Sequence, residues 1–285
     1  MSKVAIVTDS TAYIPTELSR GYPIFSVPLH VIWGDRTYYD NVDIFPSDFY
    51  QRLEHAQLMP TTSQPSPAAF KDLYDTLLAQ DYEILSVHIS SRLSGTVDSA
   101  TQAKAMLPGA PIVVVDSLLT SMAMGFPILK AARAASLGAT LADCQTIVHN
   151  ALPKVGVKFV VSTLEFLKRG GRIGGAAAFV GNAFNIKPIL DLKDGRIEAV
   201  EKVRTMNKAL ERMIALTFDE IHGQSPVSLA VIHSNATEEA KALLAEVRGR
   251  LGVNEVNDAV IAELSPVIGT HAGPGTLGLA YMVGM

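Results

Sequence analysis

Residues 83–101, EILSVHISSRLSGTVDSAT, hold an apolar run that stops in hydroxyl residues and passes at once into a helical pattern. Ile84 to Ile89 read as a buried strand, Ser90 and Ser91 end it, and Ser94, Gly95 and Thr96 open a helix. A strand–turn–helix unit of this kind commits the chain to an α/β arrangement, because the helix must bury its apolar stripe on the sheet. It also creates a place for an anion. The first N–H groups of a helix have no intrahelical partners, and the helix dipole adds partial positive charge there. Ser94 either caps the helix or turns its hydroxyl to a ligand, and this segment alone leaves both readings open.

The unit recurs along the chain. Strands are expected at about 4–8, 24–32, 83–89 and 111–116, and helices at about 46–57, 67–79, 95–107, 119–137 and 140–152. Apolar strands alternating with helices predict a mainly parallel sheet covered on both faces. From about residue 157 the rhythm changes. VKFVVST reads as a strand, and a turn-rich LEFLKRGGRIGG follows it. Strands at about 186–191 and 196–203 flank Lys193-Asp194-Gly195, whose Asp-Gly step is a hairpin signal. Helices at about 206–222 and 236–250 then alternate with strands at 227–233 and 256–262, ahead of an apolar stretch at 277–284. The expected fold is α/β in two lobes: a mainly parallel α/β lobe over residues 1–160 and an α+β lobe over 161–285. A cleft between lobes is a favoured ligand site.

Three further segments share the hydroxyl-rich character. Residues 4–11 end in Thr8, Asp9, Ser10 and Thr11. Residues 61–67 carry Thr61, Thr62, Ser63 and Gln64 just before a helix starting near Pro67, and residues 270–276 carry Thr270, His271, Gly273 and Gly275. Each alone reads as a turn. Together they predict one pocket mouth lined by N–H and O–H donors.

Composition removes several function classes. A hydrophobic fraction of 48% and a charged fraction of 18% fit a folded chain with a large core. The formal net charge is −4 and no basic run of five occurs, so a nucleic-acid partner is not expected. The single Cys144 leaves no intrachain disulfide or multi-cysteine metal site and reads as a buried inert thiol. Lys3 and Asp9 bracket an apolar run too short for a signal peptide, and Lys130 and Arg133 interrupt the most membrane-like stretch, 118–137. The expectation is a cytoplasmic protein with no metal, no cofactor and no membrane span.

Catalytic patterns find little support. GPGTLG at 273–278 matches G-x-G-x-x-G but lacks the helix, second strand and acidic residue of a dinucleotide site. There is no phosphate loop of the Gly-Lys-Ser/Thr type, no G-x-S-x-G elbow and no H-E-x-x-H pair. His88 and His233 fall inside expected strands and read as core histidines, whereas His271 lies among Gly, Thr and Pro. Ser94 and His271 could pair as nucleophile and base, with Asp9 as an orienting group or an ordinary turn residue.

Taken together, VTDST (7–11), TTSQPSP (61–67), SSRLSGT (90–96), VVDS (114–117), LEFLKRGGRIG (164–174) and HAGPGTLG (271–278) resemble the DegV family. They follow that family's order and imply one DegV domain spanning about 3–283. The resemblance implies a two-lobed fold with a long-chain fatty acid held between the lobes, and a kinship with the fatty-acid-binding subunits of bacterial fatty acid kinase. It places the fatty acid carboxylate on Thr62 and Ser94 with His271 in the polar network, and Thr61, Ser63, Gly95, Thr96, Asp9 and Ser10 in support. The reading is therefore a non-enzymatic fatty-acid-binding protein for lipid transport, or for presentation to a fatty acid kinase subunit. The alternatives are an enzyme acting on a small carboxylated or phosphorylated substrate through Ser94 and His271, and a ligand-sensing interaction protein.

Two groups remain. Met122, Met124, Phe126, Ile128 and Leu129 form one apolar run that is either core or adaptable wall for an acyl tail. Lys168, Arg169 and Arg172 lie in an acid-free, glycine-rich span, 166–186, expected to be an exposed loop. They are either solvated surface or a docking patch for an acidic partner such as a kinase subunit.

Overall fold

A computed structural model describes residues 3–182, 186–251 and 256–285. Its first sheet has the order β2-β1-β6-β7, from β1 (Lys3–Asp9), β2 (Ile24–Val27), β6 (Tyr82–His88) and β7 (Ile112–Asp116). All its pairings are parallel, with Ile6 opposite Leu85 and Ile84 opposite Ile112. The apolar runs VAIV and ILSV are buried along their length because helices cover both faces. On one face lie α3 (Pro67–Leu78) and α4 (Thr96–Ala105), packed as Phe70, Tyr74, Leu77, Ala100 and Ala103 over Ala5, Val7 and Ile84. On the other lie α5 (Ser121–Ser136) and α6 (Leu141–Ala151), the latter opened by a reciprocal Thr140–Asp143 capping box.

The expected strand at 24–32 is two strands. Pro28 has no N–H for a ladder, and the chain leaves the parallel sheet there. It enters a small antiparallel sheet of order β4-β3-β5, made of β3 (His30–Trp33), β4 (Arg36–Tyr39) and β5 (Thr61–Ser63). A short α1 (Thr16–Ser19) precedes β2, and α2 (Pro46–Glu54) packs Phe49, Tyr50 and Leu53 beneath the small sheet.

The second sheet is mixed, with order β10-β9-β8-β13-β11-β12. Its strands are β8 (Val155–Val160), β9 (Lys187–Lys193), β10 (Arg196–Val203), β11 (Val227–His233), β12 (Val256–Glu263) and β13 (Leu277–Val283). The Asp-Gly signal is a two-residue hairpin: Asp194 and Gly195 have φ of 49° and 80°, the mirror-image turn that matches strand twist. α8 (Met206–Ile221) and α9 (Thr237–Arg250) cover the outer face. The basic span is not a plain loop. Lys168 and Arg169 end a short α7 (Glu165–Arg169), where Arg169 pairs with Glu165, and residues 183–185 of that span lie outside the described residues. α10 (Pro266–Ala272) replaces the loop expected around His271.

α5 lies between the two sheets. Met122, Met124, Phe126, Ile128 and Leu129 are at most 1% exposed and share one apolar cluster with Ile6 and Leu85 on one side and Ala230 and Ala280 on the other. That run is core joining the sheets, and the acyl-tail reading of it is corrected. Cys144 is also buried there, its thiol pushed up to about 11 by burial. Among the described residues no helix is long and apolar enough to cross a membrane.

Asp40 is fully buried below the small sheet. Its Oδ2 accepts from Ser10 Oγ at 2.7 Å, its Oδ1 has no partner, and burial pushes the carboxyl up to about 7. A raised native pKa means that the folded state holds a proton which the unfolded state releases. This contribution to stability is complete below the ordinary Asp value and is lost as pH rises through 7. Thermal unfolding midpoints should therefore fall as pH rises from about 4 to about 7 and level off above that, and Asp40→Asn should flatten that fall. An unchanged slope in Asp40→Asn would assign the pH dependence to another group.

Candidate functional site

A cavity lies between the lobes, lined mainly by apolar side chains with a few polar groups, as ligand pockets usually are. Val157, Phe159, Leu192, Ile197 and Ile232 of the second sheet form one wall. Leu29, Ile89 and Leu93 from the first lobe and Leu264, Val267 and Ile268 around α10 form others. Against this apolar lining Thr62, Ser63, Ser94, His271 and Arg172 converge. Three segments far apart in sequence thus meet here: Thr62 and Ser63 on β5 with Gln64 just after it, Leu93 and Ser94 ahead of α4, and His271 on α10.

Each element has a local reason. Thr62 is fixed because β5 pairs antiparallel with β3, Thr62 opposite Val31. Ser94 does not cap α4. The cap is Gly95, with no side-chain hydrogen bond to the helix, and the Ser94 hydroxyl shares a 2.9 Å bond with buried Thr96. α10 starts at Ser265, which accepts from Ile268 N, runs from Pro266, and stops at Gly273 with φ of 78°. That Ser-Pro start and Gly stop is the sequence signal by which this helix could have been found.

His271 is the centre of the polar group. Its Nε2 lies 2.8 Å from Thr62 Oγ1, and its Nδ1 is buried without a partner. Burial first, and the Arg172 guanidinium second, push the imidazole down to about 4, so it is neutral at pH 7. The ring rests on Gly170 of the KRGG segment, where a built Cβ would come within 2.0 Å of Nδ1. Only glycine fits beneath it. With nothing to accept a proton at Nδ1, the Nε2–H tautomer donates to Thr62 and frees the Thr62 hydroxyl hydrogen for a ligand. An anionic head group reinforces that choice.

Arg172 is the residue that sequence reasoning placed elsewhere. It is half-buried in the cavity wall, where Nε donates to Leu93 O at 3.1 Å and Nη1 to Gly170 O at 2.7 Å. Lys168 and Arg169 remain exposed. No local pattern separates the three cations; only the turn after α7 decides which points inward.

Other expected residues stand apart. Asp9 orients a histidine, but it is His88, 3.1 Å from Asp9 Oδ2, and the carboxylate also accepts from Ile89 N and Thr11 N. His88 and His233 are buried, as expected for core histidines. Asp9 and Ser10 line a separate polar cleft with Thr8, Tyr13 and Glu263. Thr61 is exposed beside Thr62, and Ser63 bonds His30 at 3.1 Å. Ser94 and His271 make no hydrogen bond to each other, since each hydroxyl or ring partner is taken by Thr96 or Thr62. The GPGTLG segment leads into β13, not from a strand into a helix.

A family model described as "Uncharacterised protein, DegV family" matches residues 3–283. A DegV domain-containing protein of Streptomyces coelicolor is 40% identical over 97% of both chains. Among solved structures, a DegV family protein from Thermus thermophilus, described by its fatty acid binding, is 36% identical over 99% of both chains with a TM-score of 0.92. DegV of Bacillus subtilis, described as a fatty acid binding protein, is 34% identical over 99% of this chain and 100% of its own, with a TM-score of 0.90. Whole-length identity, the family model and the shared fold agree: the chain belongs to the DegV family.

Proposed function

We propose that this protein binds a long-chain fatty acid between its lobes and offers the carboxyl end to other proteins. The observation that carries the reading is an apolar cavity closed at one place by Thr62, Ser94, His271 and Arg172. The kinship to fatty-acid-binding DegV proteins of Thermus thermophilus and Bacillus subtilis supports it. A palmitate-sized tail has about fourteen methylenes, each worth roughly 0.8 kcal/mol on burial, before ordering and desolvation are subtracted. The tail supplies most of the affinity. The hydroxyls of Thr62 and Ser94, with the Arg172 charge, set which end enters and favour the ionised acid. The cheapest test is denaturing extraction of purified protein followed by mass spectrometry. C14–C18 fatty acid in near-stoichiometric amount supports the reading, and an extract without acyl chains that stays empty after incubation with palmitate defeats it.

The geometry gives the enzymatic alternative little to work with. The Thr62–His271 contact lacks a carboxylate on Nδ1, and Ser94 lacks a histidine. On this reading the protein is a carrier, and chemistry on the bound acid falls to a partner such as a kinase subunit. The exposed Lys168 and Arg169 of α7, the helix whose Leu167 lines the cavity, are its docking candidates, with Arg172 removed from that set because it serves the cavity. Lys168→Glu with Arg169→Glu should leave fatty acid affinity intact and slow phosphoryl transfer by a cognate kinase subunit, mainly through association rate. If the transfer rate and its salt dependence are both unchanged, the partner docks elsewhere.

A further inference from the structure

The same cavity carries a second pair of hydroxyls outside the carboxylate network. Thr120 and Ser121 line it at the start of α5, a 16-residue helix whose N-cap, Thr120, makes no side-chain capping bond. Thr120 Oγ1 and Ser121 Oγ are buried atoms without a hydrogen-bond partner, and Ser121 as a whole is 4% exposed. Hydroxyls at a helix start ordinarily cap it, and buried polar groups ordinarily find partners, so two orphans on consecutive residues that line a ligand cavity need an explanation. The turn that presents them is itself unusual: Leu118 and Ser121 hold φ of 55° and 52°, a region that non-glycine residues rarely occupy. Neither hydroxyl joins the Thr62–His271 pair or the Ser94–Thr96 pair, and Arg172 is anchored to Leu93 and Gly170.

We propose that Thr120 and Ser121 form a second polar station in the cavity, which takes a hydroxyl group carried on the chain of a fatty acid. The inference rests on the fatty acid reading and refines its substrate class to hydroxylated acyl chains. A hydroxyl suits the pair because each partner can both donate and accept, so all three oxygens can be satisfied at once. A plain methylene chain leaves both wall hydroxyls unpaired, and a site built to bond a substrate hydroxyl discriminates against the analogue lacking it.

The test uses delipidated full-length protein, stearate, and a series of monohydroxystearates differing only in hydroxyl position. One position, or two adjacent ones, should bind about 10-fold tighter than the other isomers. Thr120→Val, and Ser121→Gly, which suits the φ of 52°, should each abolish that preference and tighten stearate binding several-fold by removing an unpaired hydroxyl. A flat positional series in the wild type, or a preference that survives both substitutions, overturns the proposal. So does a selective loss of free acid over methyl ester in these variants, which would place the pair in the carboxylate site. Failure of wild-type protein to bind stearate at all would instead count against the fatty acid reading itself.

Discussion

Ser94→Ala and Thr62→Val should each weaken binding of a free long-chain fatty acid by about 10- to 100-fold while changing methyl ester affinity only a few-fold. Each substitution removes a hydroxyl that would bond a carboxylate, and such charge-assisted bonds are worth about 1.5–3 kcal/mol. The ester carries no charge and has less to lose. The two losses should not add fully, because Thr62 is held by His271 and Ser94 by Thr96, within one polar group. Competition binding of acid and ester to both variants checks this. Equal losses for acid and ester would move the carboxylate away from these residues.

A larger effect is expected from filling the apolar part of the cavity. β13 runs between β8 and β11, and Gly278 stands opposite both Phe159 and Ile232, two residues of the cavity wall. A glycine inside a strand marks a close approach, and here it leaves a trough between two large side chains. Ile232→Trp should fill that trough. If the added ring displaces about four methylenes, roughly 3 kcal/mol is lost, near 200-fold for stearate. If the trough lies beyond the reach of a C10 acid, that acid should keep most of its affinity. Thermal unfolding of the variant guards against a trivial loss of fold. Equal weakening of C10 and C18 acids would show that the tail takes another path.

Much of the fold is legible because hydrophobic period and turn chemistry agree. The parallel strands read as unbroken apolar runs, the β9–β10 hairpin is announced by Asp194-Gly195, and α6 carries its capping box in Thr140 and Asp143. Less legible are elements too short to show a period. β4 and β5 are four and three residues long and exist because β3 lies between them. α10 hides its helical face because nearly all of it is buried, so no amphipathic contrast remains. The donor-rich segments could be read as one pocket mouth only in part. TSQ, LSGT and His271 meet, whereas Asp9 and Ser10 turn to His88 and Asp40. Arg172 was invisible as a cavity residue because nothing in KRGGR tells which cation the turn will fold inward, and burial of Thr120 and Ser121 depends on a backbone turn that their side chains do not specify.

On the proposed reading a fatty acid carboxylate sits, ionised, among Thr62, Ser94, His271 and Arg172. Palmitate labelled with carbon-13 at its carboxyl group, bound to delipidated protein, reports this directly through the pH dependence of its carboxyl resonance. Donors and a guanidinium favour the charged form, so the bound signal should stay at its ionised position from pH 8 down to about pH 4, below the range where a free lipid carboxyl protonates. Arg172→Met should shift the titration upward. A bound carboxyl that titrates at or above the ordinary carboxyl range in the wild type, unmoved by loss of Arg172, would contradict the account.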